Sequence, residues 1–228
     1  MIELQHEVAG TAYFEDCCDL SCGPLTIAGI DQAFIDDDTA VSGVAVYRDG
    51  ECIERRIATA HTPIPYIPGL LAFRELPAAI AGLRSVESHT DVVMVDGNGR
   101  MHPREAGIAT HLGVMFDIPT IGIAKSLLCG RPVSSTDNLP AGTCVAIESD
   151  ESMSIKPGTV IGYALQTRQF DHPERHINPI YVSVGHRLSV KTAIEITEAT
   201  VSSYKLPDPL READRLATNA SNEGVDLD

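Results

Sequence analysis

Residues 92–96 and the turn after them decide the fold. They read Val92-Val93-Met94-Val95-Asp96, followed by Gly97-Asn98-Gly99-Arg100-Met101-His102-Pro103-Arg104. A short apolar run between turn residues is typical of a strand buried on both faces of a parallel sheet. Asp96 then falls at the strand's carboxyl end, the edge where open α/β sheets bind ligands, and the glycines let the backbone approach a substrate. Taken alone, Asp96 is better explained as a turn aspartate, so its role depends on what converges on it.

The length and composition favour one α/β domain over residues 1–228. The chain is 43% hydrophobic, which is enough to bury one sizeable core. We expect residues 1–24 to form an N-terminal arm and residues 219–228 an acidic, flexible tail. No stretch approaches the roughly 18 apolar residues of a membrane span, and the N-terminus does not resemble a signal peptide. We therefore expect a cytoplasmic monomer with no membrane partner.

The charge of the chain is strongly acidic, with 32 acidic residues against 17 basic ones, of which four are lysines. Such a surface repels nucleic acid at long range. It also suits a protein that works in concentrated salt, where screening over about 3 Å at 1 M removes most of that repulsion. The charge therefore indicates a habitat and does not decide the substrate.

The six cysteines do not predict a structural metal site. Three of them lie in the stretch Cys17-Cys18-Asp19-Leu20-Ser21-Cys22, which lacks the paired C-x2-C spacing of zinc sites. We interpret the cysteines as reduced thiols, with a metal role for the N-terminal three as the minor alternative.

The first predicted strand also carries a carboxylate at its end. Residues 25–31 read as a strand with Asp31 on the face of Leu25 and Ile27. Residues 41–48 and 51–60 alternate in the manner of strands around Asp49-Gly50, the strongest short hairpin signal. These segments predict three antiparallel strands, of which the first carries Asp31.

A proline-rich segment precedes the first helix after the hairpin. Pro63, Pro65 and Pro68 favour an extended segment, and Pro68 suits the first position of a helix. Glu75 lies on that helix. Pro77 is expected to kink or end it just beyond Glu75, and residues 78–86 to continue the helix or to start another. Alone, Glu75 would be a solvated helix charge.

Beyond Asp96, the pattern predicts alternating helices and strands. Pro103 is expected to open a helix that runs to about Phe116, and residues 119–125 read as a strand with Lys125 at its end. Further predicted elements are strands at 143–148, 159–166 and 180–184, and a helix capped by Ser189 that runs to about Ala199.

This order of elements is the layout of the ribonuclease H-like fold. We predict a central mixed five-stranded sheet, with three antiparallel strands and then parallel ones, flanked by helices and followed by extra C-terminal strands and a helix. Acids fall on the first strand, the first helix and the fourth strand. Phosphodiester hydrolysis needs charge stabilised on the attacking and leaving oxygens, which two divalent ions about 3.5–4 Å apart provide. Carboxylate sites suit Mg²⁺ or Mn²⁺.

Several segments resemble the endonuclease V family, whose members act on deaminated purine, chiefly inosine, in nucleic acid. The similar segments follow the family's order over roughly residues 25–218. They are Gly29-Ile30-Asp31-Gln32-Ala33-Phe34, residues 65–75, Val95-Asp96-Gly97-Asn98-Gly99 with His102-Pro103-Arg104, residues 107–113, residues 117–125, and Val182-Ser183-Val184-Gly185-His186-Arg187.

The resemblance implies a DNA-repair activity that cleaves the second phosphodiester bond 3′ to inosine and leaves 3′-hydroxyl and 5′-phosphate ends. It implies that Asp31, Glu75 and Asp96 hold Mg²⁺, for which Mn²⁺ can substitute, with Asp214 as a fourth ligand. Lys125 matches the family's active-site lysine, suited to the scissile phosphate or the attacking water, and His102 would lie behind the ligands. A snorkelling lysine and a loop histidine are the structural alternatives.

The proline-rich segment resembles the wedge with which the family separates strands. A rigid apolar edge can fill the gap left by a flipped nucleotide, although a loop packed on its own helix is the common structural alternative. The substrate-binding residues that the resemblance implies are Tyr66, Ile67 and Pro68 in the wedge, Gly69, Leu71, Gly97 and Ile108 in the base pocket, and His186.

Two features depart from the family pattern, namely the acidic loop Asp36-Asp37-Asp38 and the cysteine-bearing arm. The choice between deoxyinosine DNA and inosine RNA stays open. A non-catalytic inosine-binding protein is one alternative, but it should have lost an acid. Another ribonuclease H-like nuclease, acting on RNA or branched DNA, is the second alternative and would lack the wedge.

Overall fold

The computed structural model describes residues 1–17, 20, 23–62, 64–171 and 176–223. Packing divides the chain into two compact units, which we call the β1 unit (Asp19–Asp96 with Pro209–Asp228) and the β5 unit (Met1–Cys18 with Gly97–Asp208). The elements are α1 (Ile2–Thr11), β1 (Thr26–Phe34), β2 (Thr39–Arg48), β3 (Glu51–His61), α2 (Ala72–Arg84), β4 (Val92–Asp96), α3 (Ile108–Phe116), β5 (Thr120–Ala124), β6 (Arg131–Pro132), β7 (Thr143–Glu148), β8 (Val160–Gln166), β9 (Ile180–His186), α4 (Val190–Ala199) and α5 (Asp208–Glu223).

The β1 unit contains a mixed sheet in the order β3-β2-β1-β4. β1, β2 and β3 are antiparallel neighbours, and β4 runs parallel to β1. Asp49 and Gly50 have φ of 53° and 78°, the positive values that a tight hairpin turn between β2 and β3 requires. Residues 92–95 of β4 have no exposed surface, as expected for a strand covered on both faces. The predicted mixed sheet is confirmed.

Helices cover both faces of this sheet. A Cβ atom on Gly82 of α2 would lie 2.7 Å from Oγ of Ser42, and one on Gly43 of β2 would lie 2.3 Å from the carbonyl oxygen of Ala213 in α5. Ser42 and Gly43 are neighbours on a strand, so they face opposite sides of the sheet. Therefore α2 and α5 lie on opposite faces. α5 shares the face of Asp31, because Asp31 pairs directly with Gly43.

The β5 unit contains strands in the order β5-β9-β8-β7-β6. Every pair of neighbours in this order is antiparallel. Its core includes Met101, Ile147 and Ile161, all fully or almost fully buried. Ser189 caps α4 as predicted, and its hydroxyl accepts the N–H of Thr192 at 3.2 Å.

Two helices begin later than their prolines predicted. α2 begins at Ala72, because Gly69 has a φ of 77° that a helix cannot contain. α3 begins at Ile108, because Glu105 has a φ of 53° and Gly107 is extended. In both cases the proline shapes a turn that precedes the helix.

Pro77 does not end α2, which continues to Arg84. The proline removes one backbone donor and costs about 3 kcal/mol in a helix interior. Ala78 and Ala79 that follow it are fully buried, and packing of this kind is what chiefly stabilises helices in proteins. Of the outcomes expected at Pro77, an end of the helix is excluded and continuation is found, since tertiary packing outweighs the lost hydrogen bond; a kink at Pro77 stays a prediction.

The predicted tail is shorter than expected. α5 extends through Glu223, so residues 219–223 are helical, and residues 224–228 lie outside the described residues.

Cys17, Cys52, Cys129 and Cys144 are free thiols, whereas Cys18 and Cys22 also fall outside the described part. Within that part, no helix combines the length and the apolar character needed to cross a membrane.

Candidate active site

The parallel pairing of β1 with β4 brings two predicted acids together. Ile30 lies opposite Val95, so Asp31 and Asp96 lie side by side where the parallel pairing of β1 with β4 ends. Asp31 is 9% exposed, and its Oδ1 accepts the N–H of Gln32 at 2.7 Å. The predicted strand end is right for Asp96, but wrong for Asp31, because pairing with β2 continues β1 to Phe34. The parallel register makes the two acids neighbours.

Helix α5 supplies a third carboxylate. One carboxylate oxygen from each of Asp31, Asp96 and Asp214 lies within 4.8 Å of the other two, and we call these three residues the acidic cluster. The close approach of α5 to the sheet at Gly43 permits this meeting, since any side chain there would clash with the helix backbone. The structure thus places Asp214 beside the two strand acids.

Glu75 lies on α2, outside this cluster but close enough to sense it. Burial raises the pKa of Glu75 to about 7, the negative charge of Asp96 raises it too, and the positive charge of Arg74 opposes both effects. A carboxyl group with this pKa exchanges its proton near neutral pH. Such a shift beside a group of acids is typical of a functional site.

Arg74 was missed by the sequence reasoning, although it directly precedes Glu75. Its guanidinium lies 4.5 Å from the ring centre of Phe34 at the end of β1. Its Nη2 donates to the carbonyl oxygen of Asp37 at 2.9 Å. Asp37, in the acidic loop Asp36-Asp37-Asp38, therefore helps to position Arg74. The positive charge of Arg74 in turn lowers the pKa of Glu75.

The donor set of the acidic cluster fits a divalent cation. Carboxylate oxygens are the ligands that hard cations prefer. Gathering three carboxylates costs free energy through their mutual repulsion, which a bound cation offsets. The residues present are therefore able to hold a metal ion.

The proline-rich segment presents an apolar edge to solvent. Tyr66 is 61% exposed, and Ile67 and Leu71 are each 38% exposed. The N–H of Leu70 donates to the carbonyl of Ile67 at 2.9 Å, which closes a turn through Pro68 and Gly69. Pro63 lies outside the described residues. The exposure of Tyr66 is unlike that of an aromatic packed on its own helix.

In the β5 unit, Gly97 and Ile108 are in contact. A Cβ atom on Gly97 would lie 2.6 Å from Cγ2 of Ile108, and the φ of Gly97 is 147°. The N–H of Gly97 donates to the carbonyl of Ile123 in β5 at 3.0 Å. Only glycine fits this position, and it leaves bare backbone next to Ile108.

His102 and Lys125 also lie in the β5 unit. His102 is 6% exposed, and its Nδ1 accepts the N–H of Arg104 at 3.2 Å. A neutral His102 consequently carries its proton on Nε2 and can donate it in a hydrogen bond. Lys125 is exposed and directly follows the last residue of β5.

His186 lies at the far end of β5 from Lys125. It pairs with Thr120, the first residue of β5. Its Nδ1 accepts the N–H of Tyr13 at 3.1 Å, and its Nε2 lies 3.4 Å from Oδ1 of Asp117. Burial lowers the pKa of His186, although Asp117 opposes the effect. Within the β5 unit, the structure does not bring His186 together with Lys125.

A mixed sheet flanked by helices, with a carboxylate cluster at its carboxyl edge, defines the class as a ribonuclease H-like protein with an acidic site. A sequence model of the family described as Endonuclease V matches residues 6–215. The Endonuclease V of Haloarcula marismortui is 49% identical over 247 residues, covering 96% of this chain and 91% of the relative. The chain therefore belongs to the endonuclease V family and is a hydrolase that cuts within nucleic-acid strands.

Solved structures show the same likeness. The catalytic domain of human Endonuclease V matches with a TM-score of 0.83 and 30% identity, over 100% of this chain and 96% of that one. The Ciona intestinalis Endonuclease V matches with a TM-score of 0.78 and 25% identity, over 97% of this chain and 96% of that one. That protein was solved in complex with a 24mer DNA containing an inosine followed by a ribo-adenosine. The predicted family and ribonuclease H-like fold are confirmed.

Proposed function

We propose that this protein is a repair endonuclease that recognises deoxyinosine in DNA. It hydrolyses the second phosphodiester bond 3′ to the lesion and leaves 3′-hydroxyl and 5′-phosphate ends. The observation that carries the proposal is the acidic cluster, three carboxylates within 4.8 Å, in a chain that matches the family over residues 6–215. The inosine-containing DNA bound by the Ciona relative supports the substrate.

The acidic cluster would hold Mg²⁺, or Mn²⁺ in its place. A bound divalent ion supplies positive charge for the phosphodiester oxygens and for a water nucleophile. Glu75, with its pKa of about 7, is suited to join the ligands or to accept a proton near neutral pH. Lys125 would neutralise the negative charge of the scissile phosphate. His102 would lie behind the metal ligands and donate a hydrogen bond from Nε2.

Recognition of the base follows from the exposed segment and the bare backbone. Tyr66, Ile67 and Pro68 would fill the stack that the flipped inosine leaves. Backbone groups near Gly69 and Gly97 would read the edge of hypoxanthine, with Leu71 and Ile108 against its face. We propose His186, the last residue of β9 and the partner of Thr120 in β5, as a further substrate contact.

The experiment that tests the proposal is a cleavage assay on matched strands that carry inosine or adenine, with and without Mg²⁺. We expect Mg²⁺-dependent cleavage of the inosine strand alone, one bond beyond the lesion's 3′ neighbour. Binding without cleavage would indicate an inosine-binding protein. Cleavage of both strands would indicate another nuclease of this fold. The same assay on inosine RNA decides whether DNA or RNA is the preferred substrate. We also propose that the protein is a cytoplasmic monomer.

The wedge assignment has its own test in Tyr66→Ala. Because Tyr66 is 61% exposed, the melting temperature should hardly change. Lost stacking worth roughly 1–3 kcal/mol should slow cleavage of inosine in a duplex more than in a single strand, which has no partner stack to separate. Equal losses on both substrates with a lowered melting temperature would overturn the assignment.

A further inference from the structure

Two of the four lysines in the chain lie at the same edge of the β5-unit sheet. Lys125 follows Ala124, which pairs with Tyr181 of β9, and Tyr181 pairs in turn with Ala164 of β8. Because β5 and β8 both run antiparallel to β9, their carboxyl ends lie at one edge. The register therefore places Lys125 close to the segment that follows β8, which begins at Thr167.

The segment that follows β8 anchors Lys205 at this edge. β8 ends at Gln166, and the hydroxyl of Thr167 donates to the carbonyl oxygen of Lys205 at 2.7 Å. The guanidinium of Arg168 donates to the carbonyl oxygen of Ser203. The loop before α5 is thus fixed to the end of β8 through its backbone, and this brings Lys205 to the edge where Lys125 lies.

The ammonium groups of Lys125 and Lys205 are near enough to repel each other. Lys125 is exposed and Lys205 is half-buried, and burial together with the charge of Lys125 lowers the pKa of Lys205. By contrast, Lys191 is exposed and lies 3.7 Å from Glu195. In a chain of net charge −15, a pair of neighbouring cations that costs free energy in the free protein is typical of a site for an anion.

We propose that Lys205 binds a backbone phosphate of the nucleic acid beside the one that Lys125 contacts. The proposal rests on the proposed function, because it takes the substrate to be a nucleic-acid strand. A lysine acts here as a compact point charge that tolerates small changes of strand path. Since phosphates are the same at every step, the contact adds affinity without reading the base.

The test is the salt dependence of binding for Lys205→Met, which keeps the apolar stem and removes the charge. Dissociation constants would be measured in EDTA, to prevent cleavage, for single strands that carry inosine or adenine. We expect the slope of log affinity against log salt to decrease by about 0.7, the value for one phosphate contact on a single strand. The loss should be equal on both strands, and Lys205→Arg should keep the wild-type slope. Lys191→Met, with its ion pair to Glu195, is the matched control and should bind like wild type.

An unchanged slope in Lys205→Met, a loss confined to the inosine strand, or an equal loss in Lys191→Met would overturn the proposal. If Lys205→Met unfolds at a lower temperature, Lys205→Gln and Lys205→Arg replace it in the test. If Lys205 binds phosphate, the salt slope should decrease in Lys205→Gln, which lacks the charge, and stay at the wild-type value in Lys205→Arg, which keeps it. Equal wild-type affinity for the inosine and adenine strands would contradict the proposed function and leave the slope comparison intact. Failure of wild type to bind either strand would overturn both.

Discussion

Glu212 and Asp214 lie two residues apart on α5, and their carboxylates have opposite surroundings. Glu212 accepts hydrogen bonds from Arg215 at 2.6 Å and from Arg55 at 2.5 Å. These bonds, that from Arg215 first, lower the pKa of Glu212 to about 2. Asp214 instead meets the two other carboxylates of the acidic cluster.

The contrast follows from the helix period, which turns the chain by about 200° over two residues. One side of α5 meets Arg55 on β3, and the other meets the carboxyl edge of β1 and β4. An acid that is paired with arginines is satisfied within the protein and contributes to stability. An acid gathered with other acids destabilises the free protein and is suited to bind a cation from outside.

The largest effect is expected for Asp96→Ala, which removes one carboxylate of the acidic cluster. Cleavage of an inosine strand should fall by at least about a thousandfold, because several kcal/mol of charge stabilisation are lost. Inosine binding should change only a few-fold, since the base-contacting residues are intact. Single-turnover cleavage and fluorescence anisotropy measure the two quantities. Turnover near the wild-type rate would remove Asp96 from the centre of the site.

Substitution of Glu212 should have the opposite profile. Glu212→Gln should lower the free energy of unfolding by about 1–3 kcal/mol, because two half-exposed arginines lose their shared partner. Cleavage per folded molecule should stay unchanged. In metal-free protein, Asp214→Asn should raise the free energy of unfolding, since it relieves repulsion. Urea unfolding checks both variants, and equal destabilisation by the two would break the comparison.

The stability of metal-free protein should depend on pH in opposite directions at Glu75 and Glu212. Glu75 has a folded pKa of about 7, above its ordinary value of 4.5, so the folded state holds its proton more tightly, and its contribution falls as pH rises from about 4.5 to 7. Glu212 has a folded pKa of about 2, so its contribution is present above about pH 4.5 and is lost as pH falls towards 2. Each effect should amount to ~1–3 kcal/mol.

Unfolding by urea in EDTA at several pH values measures these contributions, with Glu75→Gln and Glu212→Gln as the variants. Glu75→Gln should remove the decline between pH 4.5 and 7 and leave the acid limb unchanged. Glu212→Gln should do the reverse. A Glu75→Gln profile that is parallel to wild type throughout would contradict the raised pKa.

The smallest effect is expected from salt. Raising salt to molar concentration should increase the stability of metal-free protein by about 1 kcal/mol or less, because screening relieves repulsion on a surface of net charge −15. Cleavage should persist at salt concentrations that release ordinary nucleases from DNA, since few long-range contacts remain to be screened. Rate measurements from low to molar salt test this, and a steep loss of activity counts against it.

Local rules predicted much of the fold. The apolar run that forms β4, the turn at Asp49-Gly50 and the cap at Ser189 each depend on residues within one or two turns of chain. The helix starts at Pro68 and Pro103 were predicted wrongly, because a positive φ at Gly69 and at Glu105 outweighs the local preference of proline. At Pro77 the local pattern left an end, a kink and a continuation open, and burial against the sheet decided that the helix continues.

By itself, the sequence placed Asp96 at the end of a strand and Asp31 on another strand, and the resemblance of its segments indicated the family. The resemblance implied Asp214 as a fourth ligand, but only the tertiary structure shows that it meets Asp31 and Asp96 while Glu212 pairs with arginines. It also decided that Lys205 lies beside Lys125. These pairs are far apart along the chain, so no local pattern relates them. In the β1 unit, strand register and the close approach of α5 at Gly43 bring the carboxylates together. In the β5 unit, the register of β5, β9 and β8 brings the two lysines to one edge. Such long-range packing is a property of the folded chain alone.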